Sequence, residues 1–265
     1  VSAESSEQVG EARERGPHTA RPQFSDLLSS VAEVTGIRRV RYTSPHPKDL
    51  RPETIDAMAQ VPEVCEHLHL PLQSGSDNVL SAMHRGYTAD RYIEKVDAAR
   101  RQIPDLALST DIIVGFPGET DVDFERTLEV AAEVRFDNAY TFVYSPRPGT
   151  EAAELVERFV PAKVSAERME RLRRIIERTS LKGNESRIGH DEEVIVEGQS
   201  KRDSEMLTGR TRHNRLVHFP AQEKIRPGSY AQVRVTEART FNLVGELLEV
   251  TAAAKHRTRI PVVSS

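Results

Sequence analysis

The sequence predicts an α/β fold, helices covering a parallel sheet, followed by a small all-β barrel. From Phe24 to about Ser145, short β-rich runs alternate with amphipathic helical stretches, the pattern of βα units around a parallel sheet. After Gly189 the character changes to five short β-rich runs separated by turn residues, a spacing that suits a closed or nearly closed barrel of the oligonucleotide-binding type. A length of 265 residues is enough for two ordinary domains and a sizeable core without cross-links.

Residues 1–23 carry Ser, Glu, Arg and Gly without periodicity and almost no large apolar side chains, so a disordered lead-in is expected there. Strands are expected at Arg39–Tyr42, His67–Leu70, Leu108–Val114 and Tyr140–Tyr144, with helices near Ser25–Val34, Pro52–Ala59, Asn78–Met83, Arg91–Gln102 and Asp121–Val134. Thr88 and Thr120 stand at N-cap positions, and Asp123, three residues after Thr120, completes a capping box in place of the usual Glu. Ser165 to about Arg187 reads as one long charged helix with an apolar stripe at Met169, Leu172, Ile176 and Thr179. Such a helix packs on one side only and marks a boundary, giving a first domain over 24–188 and a barrel over 189–250. The barrel strands are expected at Glu193–Val196, Met206–Gly209, Arg215–Phe219, Tyr230–Val235 and Asn242–Glu249, with residues 251–265 a disordered tail.

Composition narrows the function. A formal charge of −4 argues against coating nucleic acid by bulk electrostatics, so any nucleic-acid contact has to come from a local patch. The single cysteine, Cys65, cannot form an internal disulfide, and one thiolate cannot make the usual multi-cysteine iron–sulfur or zinc site. No metal ligands are assigned. The chain opens at Val1, has no apolar run long enough for a bilayer and no secretory start, so it is read as a cytoplasmic fragment with no membrane partner.

The segment Ser109-Thr110-Asp111-Ile112-Ile113-Val114-Gly115-Phe116-Pro117-Gly118-Glu119-Thr120 is an apolar strand running into a glycine-rich turn and a capped helix. Ligands of parallel sheets and barrels sit at this carboxyl end. Period-two alternation puts Ser109, Asp111 and Ile113 on one face, and a carboxylate among such neighbours needs hydrogen bonds or a ligand. A structural acid tying two strands together has the same sequence signature. A second junction, His67-Leu68-His69-Leu70-Pro71-Leu72-Gln73-Ser74-Gly75-Ser76, ends in uncharged hydrogen-bonding groups, of which Gln73, Ser74 and Ser76 suit the polar edge of a cofactor. His67 and His69 share a strand face, but with no third ligand nearby they read as core or capping histidines. Thr43-Ser44-Pro45-His46-Pro47 and Tyr144-Ser145-Pro146-Arg147-Pro148-Gly149-Thr150 have the same form, and Arg147 between prolines suits a carboxylate or phosphate. Four such junctions at one end of a sheet suggest a shared ligand site.

In the barrel, Lys201, Arg202, Arg210, Arg212 and Arg215 meet only Asp203 and Glu205 across 201–215, five cations against two anions. His213, Asn214, Phe219 and Phe241 add base-stacking and edge-reading groups, the mixture of a single-strand or loop RNA binder; a solvated charged hairpin would look alike. No nucleophile–base–acid triad or P-loop is present, and the catalytic residues stay unassigned.

Taken in order, the four junction motifs resemble the radical S-adenosylmethionine methylthiotransferases over about Phe24 to Val250. Gly209-Arg210-Thr211 with Asn214-Arg215-Leu216-Val217-His218-Phe219 resembles the tRNA-modifying branch more than the branch acting on a ribosomal protein. The resemblance implies part of a radical-SAM (βα) barrel followed by a TRAM RNA-binding barrel. It also implies methylthiolation at C2 of N6-isopentenyl-adenosine at position 37 of tRNA, S-adenosylmethionine, two 4Fe-4S clusters, a reductant protein and the tRNA anticodon arm as partner. Gln73, Ser74, Ser76, Asp111 and Arg147 would then lie nearest the cofactor, and Lys201, Arg202, Arg210, Arg212, Asn214, Arg215 and Phe219 would meet RNA. The family's Cys-x3-Cys-x2-Cys loop and its three auxiliary-cluster cysteines are absent from this sequence. A truncated form is therefore expected, or, as the alternative, a non-enzymatic RNA-binding remnant; the second alternative is a methylthiotransferase acting on another tRNA adenosine or on a ribosomal protein.

Overall fold

The structure, a computed structural model, describes residues 23–43, 45–201, 203–220 and 225–254. The expected lead-in lies outside the described residues save Gln23. The expected tail does so from Lys255 onward, as do the junction residue Ser44 and the candidate RNA residue Arg202.

The first half is a three-stranded parallel sheet, β1 (His67–His69), β2 (Ala107–Val114) and β3 (Asn138–Val143), in the order β1-β2-β3. Around it lie α1 (Phe24–Ala32), α2 (Pro52–Gln60), α3 (Asp77–Ala82), α4 (Ala89–Gln102), α5 (Asp121–Val134), the short α6 (Glu151–Glu154) and α7 (Ala162–Glu185). Parallel neighbours require crossover connections, and here α3 and α4 join β1 to β2 while α5 joins β2 to β3. Leu108, Thr110, Ile112 and Val114 of β2 are fully buried beneath the helices, packed with Leu68, Leu70, Tyr92, Phe124 and Phe136. Their alternation leaves Ser109, Asp111 and Ile113 on the opposite, inner face.

Local signals set the helix starts. Thr88 Oγ1 accepts from Arg91 N–H at 3.2 Å, and Thr120 and Asp123 form the expected capping box. α7 buries Leu172 and Ile176 as its stripe predicts, but Arg168 and Asn184 lie on the same buried side.

One expected strand does not form. Residues 39–42 contribute a single parallel bridge, Val40 to Val64. Arg39 and Arg41 instead turn to the second domain: Arg39 donates to the carbonyls of Arg210 (2.8 Å) and Glu193 (2.6 Å), and Arg41 to those of Thr211 (3.0 Å) and Arg212 (3.1 Å). The segment is a strap between domains.

The second half is a closed barrel of β4 (Asp191–Gln199), β5 (Met206–Arg210), β6 (Leu216–Pro220), β7 (Tyr230–Ala238) and β8 (Leu243–Ala252), in the order β4-β5-β6-β8-β7. Thr251 and Ala252, expected in the tail, are the end of β8. Phe219, expected to face RNA, is fully buried in the barrel core with Val194, Val217 and Leu243. Gly209 makes room for it, since a Cβ there would fall 2.6 Å from Val194 Cγ2 and 3.3 Å from the Phe219 ring.

Candidate cofactor and RNA sites

The inner face of the sheet carries a chain of polar contacts. His67 Nε2 lies 3.0 Å from Ser109 Oγ, which lies 2.9 Å from His69 Nδ1, and His69 Nε2 lies 3.3 Å from Asp111 Oδ2. A carboxylate only accepts, so His69 Nε2 carries the proton toward Asp111 and Nδ1 accepts from the Ser109 hydroxyl. Ser109 Oγ then accepts from His67 Nε2–H, which leaves His67 Nδ1 an acceptor. That nitrogen is buried and has no partner. Burial, reinforced by the Arg41 charge, pushes the His67 imidazole down to about 3, so it is neutral at pH 7. Tyr140 and Phe142 of β3, each about half exposed, continue this face, and the Tyr140 ring sits 5.9 Å from His69.

Of the expected cofactor residues, the structure brings Gln73 and Asp111 together. Gln73 N–H donates to the Asp111 carbonyl at 2.8 Å and Ile113 N–H to the Gln73 carbonyl at 2.9 Å, with Gln73 in the left-handed region at φ 67°. Arg147 stands exposed in the loop after β3 and contacts neither. Ser74 and Ser76 are engaged within the protein. Ser74 Oγ meets Thr127 Oγ1 at 3.2 Å, while Ser76 Oγ donates to Asp123 Oδ1 at 2.5 Å and caps α3. Gly75 lets this loop press on α5, because a Cβ there would fall 2.6 Å from Thr127 Cα.

The glycine-rich turn after β2 is an anchor for α7. Glu119 Oε2 accepts from Gly115 N–H and from Arg168 Nη1, each at 2.8 Å, and Arg168 Nη2 reaches Asp121 at 2.7 Å. The Glu119 side chain is fully buried and burial raises its pKa, opposed by the Gly115 N–H and Arg168. Sequence reading missed Arg168, which looks like one more cation of a charged helix.

The barrel's basic stretch changes meaning once folded. Arg212 holds Glu66 through two contacts of 2.7 Å and donates to the carbonyls of Pro62 and Val64, each at 2.8 Å. Arg215 pairs with Asp137 and donates to Asn184 Oδ1 at 2.6 Å. Arg210 pairs with Glu197 at 2.5 Å and reaches the Asn214 carbonyl at 3.2 Å, with Asn214 in a turn at φ 64°. Two of these anions, Glu66 and Asp137, come from positions far away in sequence and Glu197 lies just outside the stretch, so a local count of five against two overstates the free charge. Glu66 and Asp137 directly precede β1 and β3, and Asp105, two residues before β2, meets His213 Nε2 at 3.0 Å, so the barrel docks at the amino ends of the strands. A cleft of about 280 Å³ remains between the two halves, walled by His67, Ser109 and Tyr140 of the sheet and by Arg210, Asn214 and Phe241 of the barrel.

Two family profiles match the chain: the Radical SAM superfamily over residues 16–131 and the TRAM domain over residues 185–248. The tRNA-2-methylthio-N(6)-dimethylallyladenosine synthase of Moorella thermoacetica is 47% identical over 226 residues, covering 85% of this chain and 50% of that protein. The Thermoanaerobacter sp. (strain X514) protein of the same name is 48% identical over 227 residues, covering 86% and 48%. That of Acidovorax sp. (strain JS42) is 45% identical over 240 residues, covering 90% and 53%. The chain is thus similar to the tRNA-2-methylthio-N(6)-dimethylallyladenosine synthases over most of its length, with a Radical SAM match in its first half and a TRAM match in its second. It spans about half the length of the curated relatives it matches.

These matches bear out the resemblance and the expected α/β-plus-barrel architecture. The family implies S-adenosylmethionine and iron–sulfur clusters in its intact members. The residues of this chain do not fit a cluster. Its one cysteine, Cys65, is buried, and among the described residues no three His, Cys, Asp or Glu side chains are placed to hold a metal. Among the described residues, no helix is long and apolar enough to cross a membrane.

Proposed function

We propose that this chain forms the nucleoside- and RNA-handling half of a cytoplasmic tRNA methylthiotransferase, one that modifies C2 of N6-isopentenyl-adenosine at position 37. In this reading the cluster chemistry is supplied by residues outside this sequence. Gln73 and Asp111 bind polar groups of S-adenosylmethionine, and Arg147 holds an anionic group of cofactor or substrate. The observation that carries the proposal is the inner sheet face, whose Ser109–His69–Asp111 hydrogen-bond chain runs from a cleft shared with the TRAM-type barrel at the amino ends of the strands toward Gln73 and Asp111 at their carboxyl side.

His69 orients Asp111, and the buried, neutral His67 keeps that end of the hydrogen-bond chain uncharged beside Arg41. Among the described residues Gln73 has no side-chain hydrogen bond although it is 8% exposed, as expected of an amide awaiting a ligand.

Titration calorimetry with S-adenosylmethionine, and fluorescence anisotropy with an anticodon-arm RNA, test the two parts separately. Asp111→Asn and Gln73→Ala should weaken cofactor binding while RNA affinity stays unchanged. Absence of both bindings in the unaltered chain would sink the proposal. RNA binding without cofactor binding would favour the non-enzymatic alternative, to which the missing cluster ligands already lean.

A further inference from the structure

The cleft between sheet and barrel is not isolated. A second, larger one of about 670 Å³ opens on the barrel surface among Lys201, Met206, His218 and Arg239. Both clefts are lined by Arg210, Leu216 and Phe241, so they meet at these three side chains.

Phe241 stands at that junction in the turn between β7 and β8, 53% exposed, and its ring stacks on no other described side chain. An exposed phenylalanine costs solvation and usually sits on a loose loop, but this loop is held. Asn184 of α7, only 4% exposed, donates to the carbonyls of Arg239 (2.7 Å) and Thr240 (3.1 Å), and Arg239 N–H closes on the Asn242 carbonyl at 2.8 Å. Asn184 is fixed in turn by Arg215 at 2.6 Å. The protein thus holds an aromatic face in water at a defined place, the preorganised form in which an aromatic binds a planar group.

We propose that Phe241 is a base-stacking platform over which single-stranded RNA passes from the barrel surface to the inner face of the sheet. This rests on the RNA-binding reading above and specifies its path. Exposed Lys201 flanks the outer cleft, where a phosphate backbone would run on the side away from Glu197 and Asp203; Arg239, also on its rim, is paired with Glu237 at 2.7 Å. At the inner end His67 is 4% exposed, and its Nδ1 is an acceptor without a donor. A nucleobase meets both demands, offering a flat face to Phe241 and amino or ring N–H donors to His67. The inner cleft, at about 280 Å³, suits one base rather than a folded peptide segment.

The protein contains no tryptophan, so Phe241→Trp introduces a single indole fluorophore at the junction. The full chain is titrated with an anticodon-arm hairpin, with a fully paired duplex of equal length, and with polyglutamate. The hairpin loop should quench the indole emission of that variant, and duplex or polyglutamate should not. Phe241→Ala, a change at an exposed side chain, should weaken hairpin binding roughly ten-fold or more, the loss of one base–aromatic stack. Hairpin binding by the unaltered chain with no quenching and no loss in Phe241→Ala overturns the path and leaves RNA binding on another face. Equal quenching by polyglutamate also overturns it, since any polyanion would then serve. No hairpin binding by the unaltered chain overturns path and RNA reading together.

Discussion

Replacing Arg215 by Ala separates a docking role from a phosphate-binding role. The guanidinium is 11% exposed and joins β6 to Asp137 before β3 and to Asn184 on α7. Asp137 is 20% exposed and also accepts from Leu108 N–H at 2.7 Å, so the pair ties the barrel to the amino end of β2. Even α7 is shaped for it. Gly183 sits within the helix, where glycine costs about 1 kcal/mol relative to alanine, yet a Cβ there would fall 3.0 Å from the Asp137 carboxylate. Removing Arg215 deletes two bonds that involve a charge, each of the order of 1.5–3 kcal/mol, and strands a mostly buried carboxylate. Partial exposure screens some of this, and a net loss of about 3 kcal/mol follows.

For a chain of this size such a loss lowers the thermal midpoint by roughly 6–12 °C. Arg234→Ala is the control, because its pair with Asp191 is about half exposed on both sides and should move the midpoint little. Differential scanning calorimetry reads the first quantity and RNA affinity against salt the second. Were Arg215 bound to a phosphate, its loss would flatten the slope by roughly 0.7 for single-stranded RNA. The expected result is a lower midpoint with an unchanged slope. A midpoint equal to that of Arg234→Ala, together with a flattened slope, would refute the docking assignment.

Two further outcomes follow from the same geometry. His67 has its folded pKa depressed from 6.5 to about 3, so the unfolded chain binds more protons between these values and stability falls as pH drops through that window. The slope approaches 1.4 kcal/mol per pH unit, and urea titrations from about pH 7 to 4 should show His67→Gln losing this part of the dependence; an unchanged profile would mean that His67 titrates in the fold as it does in the unfolded chain. Gly75→Ala forces a Cβ against the α5 backbone at Thr127 and Arg126, 2.6 and 2.7 Å away, and should cost roughly 1–3 kcal/mol by chemical denaturation, a cost that a neutral result would disprove.

The architecture was legible because its signals are local. Hydrophobic period, the Thr120–Asp123 box and the change of character at Gly189 are each read within a few residues, and α5 falls at Asp121–Val134 as its pattern predicts. What failed was whatever depends on partners distant in sequence. Residues 39–42 have a strand's alternation, but the binding sites for Arg39 and Arg41 lie some 150–170 positions away, in the barrel. Phe219 looked like an RNA contact beside a basic stretch, although its alternation with Val217 already placed both on one face, and that face is the core. His67 and His69 lack a third metal ligand nearby in sequence, so the pattern reads them as core or capping histidines. The residue that links them is Ser109, which no metal-ligand pattern contains.

The same long-range pairing explains why several arginines of the described residues, in and beside a barrel of the TRAM type, are not free surface charges. Arginine suits a partly buried docking contact because its planar fork satisfies a carboxylate and backbone carbonyls together, as Arg212 does with Glu66, Pro62 and Val64. Once Arg39, Arg41, Arg212 and Arg215 are committed to that contact, the proposed RNA binding would rest on shape, stacking and a few exposed cations rather than on charge density. Docking and recognition then meet at Asn184, which accepts from Arg215 on one side and holds the Phe241 loop on the other. A barrel displaced from the sheet would lose that brace and with it the position of Phe241.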